Sequence, residues 1–159
     1  ALPMHRVKLE NVTASRLGGA SGHNFELILS SMRIASAAAA VGVAKSAFEY
    51  AKSYAKERDA FGVKIAQKQA IAFMLAEMAT EIEAMRLLTW EAAWNLDNNK
   101  EDASTSAYLA HTGAADMALM VTDRGVQIYG GHGYIRENPV ELLLRNGRGF
   151  AMLLGLAIV

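Results

Sequence analysis

The chain has 159 residues, enough for one domain with a sizeable core. Its 16 basic and 16 acidic residues cancel, and no basic stripe stands out, so the charge footprint of a nucleic-acid binder is missing. It has no cysteine, which excludes disulfides, thiolate metal ligands and cysteine nucleophiles.

Residues 1–22 differ from all that follows. Val7, Leu9 and Val12 sit among polar residues, and Val7-Lys8-Leu9-Glu10 alternates as a half-buried strand does. Gly18, Gly19 and Gly22 mark a loop after it. A lone strand is unstable, so this one is expected to pair outside the chain or with another subunit. The chain opens on Ala1 rather than methionine, which reads as a processed or excised fragment. No signal peptide is read here, and the expected compartment is the cytoplasm, or the mitochondrial matrix in a eukaryote.

From about Asn24 to Arg58 the pattern turns helical. Phe25, Ile28, Leu29, Met32, Ala35, Ala39, Val43, Ala47, Ala51 and Tyr54 recur at three- and four-residue steps. Asn24 or Ser21 is placed to cap the start. Such a helix reaches roughly 50 Å. Its small residues, Ala35 to Ala40, allow a neighbouring helix to pack closely. The longest apolar run, Ile34 to Ala44, is shorter than a bilayer span, so no membrane insertion is expected.

A second helix is predicted over about residues 66–97, with Met74, Met78, Ile82, Met85 and Leu88 on its apolar face. Its methionines read as core packing. Glu77, Glu81 and Glu83 read as a solvated face. A polar break, Asp97 to Lys100, precedes a third helix from about Asp102 to Tyr129. Gly130-Gly131-His132-Gly133 ends it. Pro139 suits the first turn of a short fourth helix, about Pro139 to Asn146. Gly147 to Val159 is left open between helix and loop. Three long helices and a shorter one with short connections predict an all-α, up-and-down four-helix bundle. A hydrophobic share of 52 % is high for a soluble domain and predicts surface buried against partner chains or further domains.

His5, His23, His111 and His132 lack metal-ligand spacing, and no glycine-rich loop follows a strand. Attention therefore falls on the corner between the first two helices, Tyr54-Ala-Lys-Glu-Arg-Asp-Ala-Phe-Gly62 and on to Gln69. Arginine offers phosphate a planar, permanent cation, and glycine permits close backbone approach. Glu57, Arg58, Phe61, Gly62, Ile65 and Gln69 fill every position of E-R-x-x-F-G-x-x-I-x-x-x-Q. Further on stand Gln127-Ile-Tyr-Gly130-Gly131-His-Gly-Tyr134 and Glu137-Asn-Pro-Val-Glu141. Together these resemble the C-terminal helical domain of the acyl-CoA dehydrogenase family, over nearly the whole chain. The family reads Q-I-x-G-G-x-G-[YF] and E-x-P-V-E at the last two places.

The resemblance implies that residues 1–22 close a preceding β-domain and its linker, and that residues 23–159 are the bundle. It implies FAD as cofactor, a homo-oligomer (dimer or tetramer), an acyl-CoA substrate and electron-transfer flavoprotein or a similar acceptor. Residues carried over for the adenine and pyrophosphate end of FAD are Arg58, Phe61, Gln127, Gly130 and Gly131, with Gln69 weaker. Arg33 matches a first-helix arginine at the substrate site. The bland reading of Arg58 is a pair with Tyr54 or an acidic neighbour. That of Gly130-Gly131 is a C-cap, and both readings hold together without conflict.

The reaction implied is α,β-dehydrogenation of an acyl-CoA thioester, with a glutamate taking the α-proton. Counting on from Val140-Glu141, the usual glutamate position falls on Leu154. Some members place it one residue before the first-helix arginine, which here is Met32. The family's aspartate near that arginine matches Ser30. Four accounts are open: a base from elsewhere, with Glu26 nearest; a catalytically inactive or partner-dependent subunit; an oxygen-using flavin enzyme of the same fold; or a slipped alignment over Phe150 to Val159. The 159-residue chain alone is expected to show no turnover.

Overall fold

A computed structural model describes residues 6–15 and 18–153. Four α-helices follow one another: α1 Phe25–Glu57, α2 Gln69–Asp97, α3 Ala103–Tyr129 and α4 Val140–Gly149. The fold class is therefore the predicted all-α bundle. Short links force each helix to return beside its predecessor. α1 runs up, α2 down and α3 up, so the end of α1, the start of α2 and the end of α3 share one end of the molecule.

Each boundary has a local cause. Asn24 caps α1, its Oδ1 accepting from the Leu27 N–H at 3.1 Å. Gly130 caps α3 at its C-terminus, and a 3-10 turn, Gly130–Tyr134, leads away from it. Pro139 precedes α4, where its missing N–H is harmless. Between α1 and α2 lies a miniature hairpin, β1 Asp59–Ala60 against β2 Val63–Lys64, antiparallel.

The strand expected at Val7 to Glu10 is not formed. Residues 6–15 carry no regular structure, and Val7 and Leu9 are 76 % and 74 % exposed. An alternating segment with no strand beside it has nothing to hydrogen-bond to.

α1 is the spine of the bundle. Ala37, Ala40, Ala44, Ala47, Ala51 and Ala55 are all essentially buried, letting α2, α3 and α4 pack close to its backbone. An 18-residue window of α1 has mean hydropathy 1.7, enough by length and composition to cross a membrane, and 28 % of it is buried in the bundle. The Ile34–Ala44 run thus understated the apolar length of this helix. Met78 and Ile82 on α2 and Val121 on α3 complete the centre, with Met74 and Met85 packed against it, as the methionine spacing predicted. α4 docks through Val140 and through Gly147, which meets α3 at Ala118 and Thr122.

Candidate functional site

Arg58 is the residue that follows α1, with extended backbone (φ −72°, ψ 123°). Its N–H still donates to the Tyr54 carbonyl at 2.8 Å, so the side chain leaves from a fixed point. The guanidinium has no ion pair or hydrogen bond among the described residues. Its acidic neighbour Asp59 is taken instead by Lys64, whose Nζ lies 2.7 Å from Oδ2 and also donates to the Glu57 carbonyl at 2.9 Å. The bland alternative, a side-chain pair of Arg58 with Tyr54 or an acidic neighbour, is not made among the described residues. A permanent cation is left facing solvent, suited to an anionic oxygen.

Phe61 and Gly62 form the hairpin tip with φ of 55° and 78°. Two positive φ values match a two-residue type I′ turn, which favours asparagine and glycine. A phenylalanine there costs about 1–3 kcal/mol of backbone strain. Its ring is 93 % exposed, with Lys68 Nζ 5.6 Å from the ring centroid. Strain combined with exposure is a poor solution for folding and a good one for presenting an aromatic face.

Across the same end, Gly130 has φ 58° and ψ −134°, a combination closed to side chains. A Cβ added at Gly130 or Gly131 would meet nothing within 4 Å, so ligand atoms have room to reach this backbone. Gly130 is thus both a cap and an open approach. Gln127 and Gln69 are exposed beside these segments, one near the end of α3 and one opening α2.

Tyr54, one turn before Arg58, joins the two sides. Its ring stacks on Tyr129 with centroids 4.1 Å apart and planes 16° from parallel. Its hydroxyl lies 3.4 Å from His132 Nδ1. Burial pushes the Tyr129 phenol above its ordinary value, with Tyr54, Tyr50 and Glu57 adding to the effect. The sequence reading missed Tyr54 and His132 as a pair because they are 78 positions apart. The one available signal was the placement of Tyr54 a helical turn before Arg58.

Arg33 does not join this end. It lies some 37 Å along α1 from Arg58 at 1.5 Å per residue. There its guanidinium sits 5.2 Å from the Tyr108 ring centroid. Met32 beside it is 50 % exposed and carries no titratable group. Ser30 is buried. Glu26 accepts a 3.4 Å hydrogen bond from Ser104 Oγ in the first turn of α1, the role of a helix-start charge. Leu154 lies outside the described residues.

His111 on α3 is 9 % exposed, and its Nδ1 has no hydrogen-bond partner among the described residues. Burial lowers its pKa below 6.5, and the charge on Arg33 lowers it further. The folded chain therefore binds this proton less tightly than the unfolded chain. Stability is full above about pH 6.5 and falls as pH drops through the window between 6.5 and the lowered folded value. In denaturant titrations between pH 7 and 5, His111→Gln is expected to flatten that decline. An equal decline in both proteins would contradict it.

A groove of about 490 Å³ between α2 and α3 is lined by Met85, Met117, Met120, Glu81 and Asp116, and bordered by the Arg124–Glu77 ion pair. It holds none of the candidate residues. Among the described residues no cluster could hold a metal ion.

One end of a helical bundle thus presents an unpaired arginine, a strained exposed aromatic and an open glycine pair. Residues 24–156 match the family described as "Acyl-CoA dehydrogenase, C-terminal domain". An acyl-CoA dehydrogenase of Bacillus subtilis is 41 % identical over 140 residues, covering 86 % of this chain and 37 % of its own length. The caffeyl-CoA reductase-Etf complex subunit CarC of Acetobacterium woodii is 44 % identical over 123 residues, 77 % of this chain and 32 % of its own. The structure of butyryl-CoA dehydrogenase from Megasphaera elsdenii superposes with a TM-score of 0.79 at 36 % identity, covering 84 % of this chain and 35 % of that one. The chain belongs to the acyl-CoA dehydrogenase family, and it spans about a third of the length of these relatives.

Proposed function

We propose that this chain is the C-terminal bundle of an FAD-dependent oxidoreductase that dehydrogenates an acyl-CoA thioester, and that it helps bind FAD and forms the oligomer interface. One observation carries the reading: Arg58, whose cation has no ion pair or hydrogen bond among the described residues, stands at the same end of the bundle as the exposed Phe61 ring and the open Gly130–Gly131 backbone. These residues fit a dinucleotide. Arg58 would hold a phosphate oxygen by charge-assisted hydrogen bonds, and Phe61 would cover an aromatic base. The backbone at Gly130 and Gly131 is open to close approach, with Gln127 and Gln69 supplying amide hydrogen bonds. The family is FAD-dependent in general; when bound, the flavin supplies the acceptor for hydrogen leaving the acyl chain. Arg33, at the far end of α1, is assigned to the acyl-CoA side.

Exposed Phe25, Phe73, Leu87, Trp90, Trp94 and Leu109 support a homo-oligomer, since lone domains seldom leave so many large apolar side chains in water. A relative named as part of an Etf complex supports electron-transfer flavoprotein as acceptor. The family reading favours the cytoplasm or mitochondrial matrix; one relative, from Bos taurus, is named as mitochondrial.

A second reading has its own support. Met32 stands at one of the two glutamate positions and cannot take a proton. That favours a catalytically inactive or partner-dependent subunit, or an oxygen-using flavin enzyme of this fold. The visible spectrum of the natural full-length protein, purified without added flavin and titrated with acyl-CoAs, separates these. A bound flavin that bleaches with one acyl-CoA supports the dehydrogenase. A flavin that never bleaches supports the second reading, and a colourless protein overturns the flavin assignment. The 159-residue chain alone is expected to give no turnover.

A further inference from the structure

We propose that Tyr54 is a positioning residue that locks Arg58 and Gly130–Gly131 into the mutual placement the dinucleotide requires. This role presupposes the flavin reading above. The two segments come from different helices, and no backbone hydrogen bond among the described residues joins them. Tyr54 touches both. Its main-chain carbonyl, as that of any residue there would, accepts the Arg58 N–H at 2.8 Å, so the Tyr54 side chain is carried on the same fixed end of α1 as Arg58. Its ring stacks on Tyr129, the residue before Gly130, at 4.1 Å. Its hydroxyl reaches His132, the residue after Gly131, at 3.4 Å. The glycine pair is thus bracketed by two side chains that meet one ring.

The far side of the bracket is anchored too. Asn138 Nδ2 donates to the His132 carbonyl at 2.8 Å, tying the turn to the approach of α4. Tyr129 is 8 % exposed and packs with Val126 and Val140. The Tyr129 ring is therefore a fixed floor, and the Tyr54 ring is registered against it. An exposed tyrosine–histidine bond adds little to global stability, because water competes for both partners. Its effect falls on geometry, where small displacements of phosphate-binding groups are felt strongly.

The test uses the natural full-length protein, stripped of flavin and titrated with FAD. Tyr54→Phe keeps the stack and loses the hydroxyl, and about a two- to threefold weaker Kd is expected. Tyr54→Leu loses both and is expected to weaken Kd about tenfold, the scale of one aromatic pair plus a hydrogen bond. Tyr54→Leu is then combined with Arg58→Ala. If Tyr54 acts by placing Arg58, its removal matters less once Arg58 is gone, so the two effects are less than additive. A merely structural lesion gives additive effects, and additivity overturns the positioning role. So does an unchanged Kd in Tyr54→Leu while Arg58→Ala alone weakens binding. Wild-type protein that binds no FAD, or a neutral Arg58→Ala, strikes the flavin reading itself and this role with it. If Tyr54→Leu does not fold, Tyr54→Phe and His132→Ala probe the same bond, and two unchanged affinities overturn the role.

Discussion

Replacing Arg58 by alanine is expected to weaken FAD binding by about tenfold or more, while the melting temperature of the flavin-free protein stays where it was. A hydrogen bond to a charged group contributes about 1.5–3 kcal/mol, and tenfold is the lower end of that range. The unchanged melting temperature follows from what Arg58 does not touch. Its side chain is exposed and has no ion pair or hydrogen bond among the described residues, so truncation removes nothing from the fold. Arg58→Lys should recover only part of the loss, because an ammonium cannot present two parallel N–H groups to one phosphate. The loss should shrink as salt is raised, since an exposed charge is screened. An alanine variant with wild-type affinity at low salt would remove Arg58 from the site.

The second large effect concerns stability and compares one substitution at two glycines. At Gly147 an added methyl would lie 2.6 Å from Thr122 Oγ1 and 3.0 Å from the Ala118 carbonyl oxygen. Thr122 cannot turn away freely, because it is fully buried and donates to that same carbonyl at 2.6 Å. Overpacking of this kind costs about 1–3 kcal/mol, which outweighs the gain of up to about 1 kcal/mol from replacing glycine inside a helix. At Gly42, on the exposed face of α1, an added methyl meets nothing within 4 Å. There only the helix gain remains. Gly147→Ala should lower the melting temperature by several degrees, and Gly42→Ala should leave it level or raise it. If both move it the same way, the close approach of α4 to α3 is misplaced.

The bundle was legible because its signal is repeated. α1 carries ten apolar positions at helical spacing, enough to mark a helix, but only Ala47 and Ala51 of them are buried and the first half of its core face is Ala37, Ala40, Val41 and Ala44 instead. The cap at Asn24, the buried Met78 and the stop at Gly130 followed from residue type alone. Other features were hidden for physical reasons. The hairpin has two residues per strand, too few for any alternation to show. α4 ran on to Gly149, past the predicted end near Asn146, because Gly147 serves close packing rather than termination. The Arg58 end was marked by a contiguous string, but the stack that joins it to Gly130 lies between residues 75 positions apart, Tyr54 and Tyr129. No local pattern encodes that contact. The N-terminal alternation was read correctly as a pattern, yet a pattern becomes a strand only beside another strand.

The left-handed backbone at Phe61 sets folding against exposure in one residue. Selection for folding alone would drift that position towards glycine or asparagine, which adopt the turn without strain. It would also drift away from a large ring held almost wholly in water. Phenylalanine makes the free domain worse on both counts, so any advantage it confers must be sought in a complex.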